Sequence, residues 1–240
     1  MSRMKNRSYN RREALGLLGA ASAALAAACG SSPTSPTSTT SSSSTGGTTS
    51  SSCAVSPEET AGPYPDRTGM ISNSAFYRQD ITEGKSGLPL TLALTVVNVR
   101  NNCAPVANAT VEVWQCDATG NYSEYGNSVG QTFLRGLQTT DSNGTVTFRT
   151  IYPGWYQGRA THIHLEVFIN GATVKTTQIA FPESVSSAVY RTAVYAAHGL
   201  NATTNSGDMV FADGTDHEMA TLSGDTTSGY TATLTVGISV

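Results

Sequence analysis

The stretch Thr161-His-Ile-His-Leu-Glu-Val-Phe-Ile-Asn-Gly-Ala-Thr-Val-Lys-Thr-Thr-Gln-Ile-Ala-Phe181 decides the fold. Residues 161–169 and 173–181 are rich in β-branched side chains and alternate, as half-buried strands do. Asn170-Gly171 lies between them, and this dipeptide readily takes the positive φ values that close a two-residue hairpin. The first strand carries His162 and His164. Residues i and i+2 of a strand point to one face, so the two imidazoles project side by side, as binding to a single metal ion requires.

The flanking sequence extends the same pattern. Residues 90–100, 110–114, 145–151 and 230–240 read as further strands, with Asn101 to Asn108 a turn and Asp141-Ser-Asn-Gly144 a hairpin or turn signal. One helix is predicted over 184–197, where Val185, Ala188, Val189, Thr192 and Tyr195 follow helical spacing and Gly199 supplies the stop. Short strands at turn-separated intervals predict an all-β fold, an antiparallel β-sandwich with one short helix.

The N-terminal end reads differently. Arg3, Lys5, Arg7, Arg11 and Arg12 precede a small apolar run, Ala14 to Ala28, too short to span a membrane, so residues 1–29 read as an export signal. Arg11-Arg12 suggests the twin-arginine route. Ala-Ala-Ala-Cys29-Gly resembles a bacterial lipobox, which makes Cys29 a lipidation site; ordinary cleavage without lipid is the alternative. Residues 30–52 contain only Gly, Ser, Thr and Pro and read as a disordered linker. Residues 53–240 then form one domain. The expected location is outside the cytoplasm: a cell-surface or periplasmic lipoprotein tethered through Cys29, or a secreted protein.

The signal holds five of the 14 Lys and Arg and one of the 17 Asp and Glu, leaving 9 basic and 16 acidic residues. No basic cluster remains, which argues against nucleic acid as a partner. Cys53, Cys103 and Cys116 lie in the domain, and an oxidising compartment allows one disulfide among them, with the pairing open.

Tyr156 lies six residues before His162, and Tyr122 follows an apolar strand and a glycine turn in Trp114-Gln-Cys-Asp-Ala-Thr-Gly-Asn-Tyr122. Two phenolates and two imidazoles form an N2O2 set suited to a hard, highly charged ion such as Fe(III). A Zn or Cu site built on His162 and His164 alone is the competing reading. Tyr152, before Pro153, reads as a packed strand end. Trp114 reads as core and Trp155 as pocket wall. Tyr64 either lines the pocket or anchors its segment. His198 and His217 read as solvated, as does the acidic loop with Asp213, Asp216 and Glu218, for which calcium binding is the less favoured alternative.

The run Val111 to Tyr122, then Phe133-Leu-Arg-Gly, Thr140-Asp-Ser-Asn-Gly, Thr150-Ile-Tyr-Pro-Gly-Trp-Tyr156 and Arg159-Ala-Thr-His-Ile-His164, together with Glu59-Thr-Ala-Gly-Pro-Tyr64, resembles the intradiol ring-cleavage dioxygenases, which include protocatechuate 3,4- and catechol 1,2-dioxygenases. The resemblance spans most of residues 53–240 and is nearest to the exported, single-domain branch. It implies a non-haem Fe(III) cofactor held by Tyr122, Tyr156, His162 and His164. It implies that Arg159 and Gln178 face the substrate and that Tyr156 is displaced by an incoming catechol. It also implies cleavage between the two hydroxylated carbons, both atoms of O2 entering a muconate-type diacid. Two features depart from the family. The segment between Tyr156 and His162 is short, which implies an open site, and Ala160 stands where the family usually has proline. The helical dimerisation region of catechol 1,2-type enzymes has no counterpart, so a dimer built that way is not expected. A metal- or ligand-binding sandwich without turnover is the alternative function.

Overall fold

A computed structural model describes residues 53–240. The expected export signal, the lipidation site Cys29 and the linker 30–52 lie outside the described residues. The chain forms β1 (Pro89–Asn98), β2 (Ala104–Pro105), β3 (Thr110–Trp114), β4 (Arg135–Thr139), β5 (Thr145–Ile151), β6 (His162–Ile169), β7 (Ala172–Ala180), α1 (Glu183–Val189), α2 (Ala193–Ala196), β8 (Thr221–Asp225) and β9 (Gly229–Ile238), with short 3-10 turns between several of them.

The strands make two sheets. In the first, β1 is flanked by β9 on one edge and by β5 and then β2 on the other, with β8 beyond β9. In the second the order is β4-β3-β6-β7, antiparallel throughout. One pairing departs from the antiparallel expectation: β1 and β9 run parallel, in register from Leu90 opposite Tyr230 to Asn98 opposite Ile238. They lie 130 or more residues apart in the chain, so no short hairpin dictates their direction.

One apolar cluster joins the two sheets. β1 contributes Leu90, Leu92, Leu94 and Val96, every second residue, and β6 contributes Ile163, Leu165 and Val167. Each such side chain, fully buried, contributes roughly 1.5–3 kcal/mol. Since β6 turns its odd-numbered residues to this core, His162, His164 and Glu166 face the outside of the second sheet. Residues 58–64 lie across that outer face, with the Glu59 amide donating to Thr176 O; before them the Ser56 amide donates to Gly237 O of β9, and the Lys175 ammonium donates to Ser56 O and Glu58 Oε2. Cys53 is disulfide-bonded to Cys103, and Cys116 is free and buried.

The predicted helix 184–197 is broken in two, and Tyr190 explains the break. Its hydroxyl donates to Pro153 O at 3.1 Å and shares a 2.6 Å hydrogen bond with Thr161 Oγ1, pinning the chain to the turn before β6. Thr192 then turns extended, at φ −73° and ψ 156°, and starts α2.

The same outer face carries Glu112 of β3 directly opposite Glu166 of β6. Burial, and then the Glu166 charge, push the Glu112 carboxyl up to about 8. A raised carboxyl pKa means that the folded state holds a proton the unfolded chain has lost between the two values. This contribution to stability is complete below about pH 4.5 and lost as pH rises through about 8. Glu112→Gln is therefore expected to stabilise the fold by on the order of 3 kcal/mol at about pH 9 and by almost nothing at about pH 4. Urea unfolding at the two pH values checks this; an equal effect at both would contradict it.

Candidate metal centre

One cross-strand row supplies the floor of the site. Arg135 on β4 faces Trp114 on β3, Trp114 faces His164 on β6, and His164 faces Gln178 on β7. The Trp114 ring stacks on the His164 ring, centroids 4.8 Å apart and 4° from parallel. Gly62 closes over the other side. It has φ +69°, and a Cβ there would come within 2.8 Å of His164 Cε1. Gly62→Ala is expected to cost about 1–2 kcal/mol in backbone strain alone and to push the His164 ring out of place. Thermal melting together with metal titration checks both effects.

Two loops bring the tyrosines in. The loop after β3 is folded by Asp117, whose Oδ1 accepts from the Thr119 and Asn121 amides and whose Oδ2 accepts from Lys85 Nζ. This places Tyr122 Oη 3.5 Å from His162 Nε2. The tight turn before β6, in which the Arg159 amide donates to Tyr156 O, brings Tyr156 Oη to 3.4 Å from the same nitrogen. His164 Nε2 lies 3.1 Å from it. Two phenol oxygens and two imidazole nitrogens thus meet around one point. His162 Nδ1 lies 2.6 Å from Ala160 O, which fixes the proton on Nδ1 and leaves the Nε2 lone pair facing the cluster.

Electrostatics at the cluster suit a cation. Burial, and then the Arg159 charge, push His162 down to about 3, and burial holds His164 well below the usual imidazole range, so both imidazoles are neutral at physiological pH. Burial raises Tyr122 well above the usual phenol range and Tyr156 to about 12. Ionising either phenol here calls for a strongly positive partner. Among the described residues no group of three or more His, Cys, Asp and Glu could hold a metal, so a site here depends on tyrosine oxygen. The donors present therefore fit a hard, highly charged ion.

Of the other residues expected at the site, three are brought in. Tyr64 stacks on Tyr122 at 4.4 Å and meets Tyr156 edge-on at 5.4 Å, so it both lines the cluster and anchors its segment. Arg159 Nη1 lies 3.3 Å from Tyr156 Oη and 3.5 Å from His162 Nε2, and Nη2 donates to Gln178 Oε1. Gln178 Nε2 in turn donates to Thr60 O at 2.7 Å. Trp155 stands apart from this aromatic group: its ring packs against His198, centroids 4.4 Å apart, and its Nε1 donates to Gly199 O. His198 is consequently half-buried rather than solvated, with Nε2 2.8 Å from Trp155 O. Glu218 also leaves its expected place in a solvated loop. It is fully buried and accepts from Thr177 Oγ1, whereas Asp213, Asp216 and His217 are exposed. Tyr152 is buried, as expected of a packed strand end. Asp208, which nothing in the sequence singled out, is buried against Arg159 with Nε to Oδ2 at 2.8 Å.

Residues 61–199 match a family model described as Dioxygenase. An intradiol ring-cleavage dioxygenase from Tetranychus urticae is 30% identical in sequence and superposes with a TM-score of 0.71, over 78% of this chain and 95% of that one. The chain belongs to the intradiol ring-cleavage dioxygenase family. The matched span contains Tyr122, Tyr156, His162 and His164, and Arg159 and Gln178, but not Asp208. Catechol 1,2-dioxygenase 2 of Acinetobacter lwoffii is 37% identical over 93 residues, which cover 31% of this chain and 34% of that protein. The alignment thus spans about a third of that curated relative. The dioxygenase domain of a carbohydrate-binding fusion protein from Streptomyces sp. SirexAA-E is 26% identical with a TM-score of 0.58, over 78% of this chain and 99% of that one.

Proposed function

We propose that this protein is a non-haem Fe(III) dioxygenase that cleaves catechol-type aromatics between their two hydroxylated carbons, giving muconate-type diacids. The observation that carries the reading is the meeting of Tyr122, Tyr156 and His164 side-chain donors within 3.5 Å of His162 Nε2. These four residues would hold the iron. Bound there, ferric iron supplies Lewis acidity and a template for catechol and O2.

The side chains around it have separable tasks. Tyr156 is the less buried of the two tyrosines, and its oxygen is the one within reach of Arg159. Tyr156 Oη would be one of the donors to the iron and is placed to take a proton from a catechol hydroxyl. Arg159 Nη1 points at the same space and stabilises negative charge that develops on the ring or on the acyl product. Gln178 holds Nη2 and fixes the guanidinium plane. Tyr64 offers an aromatic wall to the substrate ring.

The export reading places this activity outside the cytoplasm, in a secreted protein or a lipoprotein tethered through Cys29. The Cys53–Cys103 disulfide supports an oxidising compartment. Catechol turned over in isotopically labelled dioxygen tests the reading. The expected product is a ring-opened diacid carrying both labelled atoms, one per carboxylate, with one O2 consumed per ring. Oxygen uptake that yields only a quinone would overturn it.

A further inference from the structure

Asp208 lies in the loop between α2 and β8, outside the span that matches the family, and its carboxylate is fully buried. Oδ2 accepts from Arg159 Nε at 2.8 Å and from the Ala160 amide at 2.6 Å. Oδ1 accepts from Arg159 Nε at 3.0 Å and from the Val210 amide at 2.8 Å. The Ala160 bond depends on a departure noted in the sequence: a proline at that position has no N–H to donate. The other two guanidinium nitrogens then have fixed directions, Nη2 to Gln178 and Nη1 toward Tyr156 and His162.

We propose that Asp208 is a positioning residue of the metal centre: it aims Arg159 at the substrate side of the cluster and neutralises a guanidinium that lies 3.5 Å from His162 Nε2. The inference rests on the reading of the site as an iron centre. Two cations this close in a buried site repel each other. A buried carboxylate behind the guanidinium removes that repulsion while leaving both Nη groups free to donate. In this chain the Ala160 N–H and the loop carrying Asp208 form the clamp together.

The test is a double-mutant cycle on the full chain, read by Fe(III) competition with a chelator. Asp208→Asn leaves the guanidinium charge uncompensated and is expected to weaken iron binding roughly 10–100-fold. Arg159→Met removes the competing cation and is expected to bind iron at least as tightly as the unsubstituted protein. The double variant Arg159→Met/Asp208→Asn carries no unpaired buried charge and is expected to regain most of the affinity lost in Asp208→Asn. Thermal melting of all three separates folding from binding; if Asp208→Asn alone does not fold, the comparison of Arg159→Met with the double variant still reports the charge of Asp208. Equal iron affinity in Asp208→Asn and the unsubstituted protein, or losses that simply add in the double variant, would overturn the proposal. A failure of the unsubstituted protein to take up iron would instead overturn the reading of the site, so the two failures are distinguishable.

Discussion

Tyr122→Phe is expected to abolish ring cleavage, with kcat/KM for catechol falling by on the order of a thousandfold or more, while the fold persists. The substitution removes one oxygen from a cluster in which three donor atoms, Tyr122 Oη, Tyr156 Oη and His164 Nε2, meet around His162 Nε2, and it leaves the ring in place against Tyr64. Among the described residues, Tyr122 Oη has that imidazole nitrogen as its only hydrogen-bonding neighbour, so the hydroxyl contributes little to folding. Loss of one phenolate leaves more positive charge on a bound ferric ion and raises its reduction potential. Tyr156→Phe is expected to behave differently. It also deletes the oxygen near Arg159 Nη1, so both the metal and the proton acceptor for catechol are affected. Steady-state oxygen uptake and circular dichroism on the two variants check the pair. Activity retained in Tyr122→Phe would contradict the four-donor assignment.

The second large effect is on stability. Cys53 and Cys103 are separated by 50 residues, and a cross-link closing a loop of that size stabilises by about 4 kcal/mol through the unfolded chain. Cys53→Ser/Cys103→Ser is therefore expected to lower the melting temperature by about 10 °C. The effect should reach the site as well. The strand-like segment that starts at Cys53 ends with Thr60 O on Gln178, Gly62 against His164 and Tyr64 on Tyr122. Loosening its first residue removes one of the anchors of the lid over the imidazole. A double serine variant that melts with the unsubstituted protein would show that the hydrogen bonds of residues 56–60 anchor the segment by themselves.

The parts of the site that were legible in the sequence are those set by local period. His162 and His164 share a face because a strand repeats every two residues, and Asn170-Gly171 fixes where that strand turns. The tyrosines were legible as residue types at suitable positions, and their meeting with the histidines depends on how Asp117 and the 156–161 turn fold the two loops. Strand β4 was not foreseen because Arg135-Gly-Leu-Gln-Thr does not alternate: its arginine is buried on the outer face, under the loop that carries Tyr122. Strand β8 carries Gly224 and is largely exposed, so it has no apolar face to read. The single helix expected over 184–197 failed at Tyr190 because a long-range hydrogen bond overrode local spacing. Asp208 was beyond sequence reasoning for the same reason, its partner Arg159 being 49 residues away.

The most direct measurement is the visible spectrum of the purified protein loaded with Fe(III), before and after catechol is added without oxygen. Two tyrosinates on ferric iron predict an intense red-brown charge-transfer band, weakened in both Tyr122→Phe and Tyr156→Phe and shifted when catechol binds. An iron-loaded protein that stays colourless, or whose colour survives both substitutions, would contradict the assignment of Tyr122 and Tyr156 as ligands and with it the account of the site.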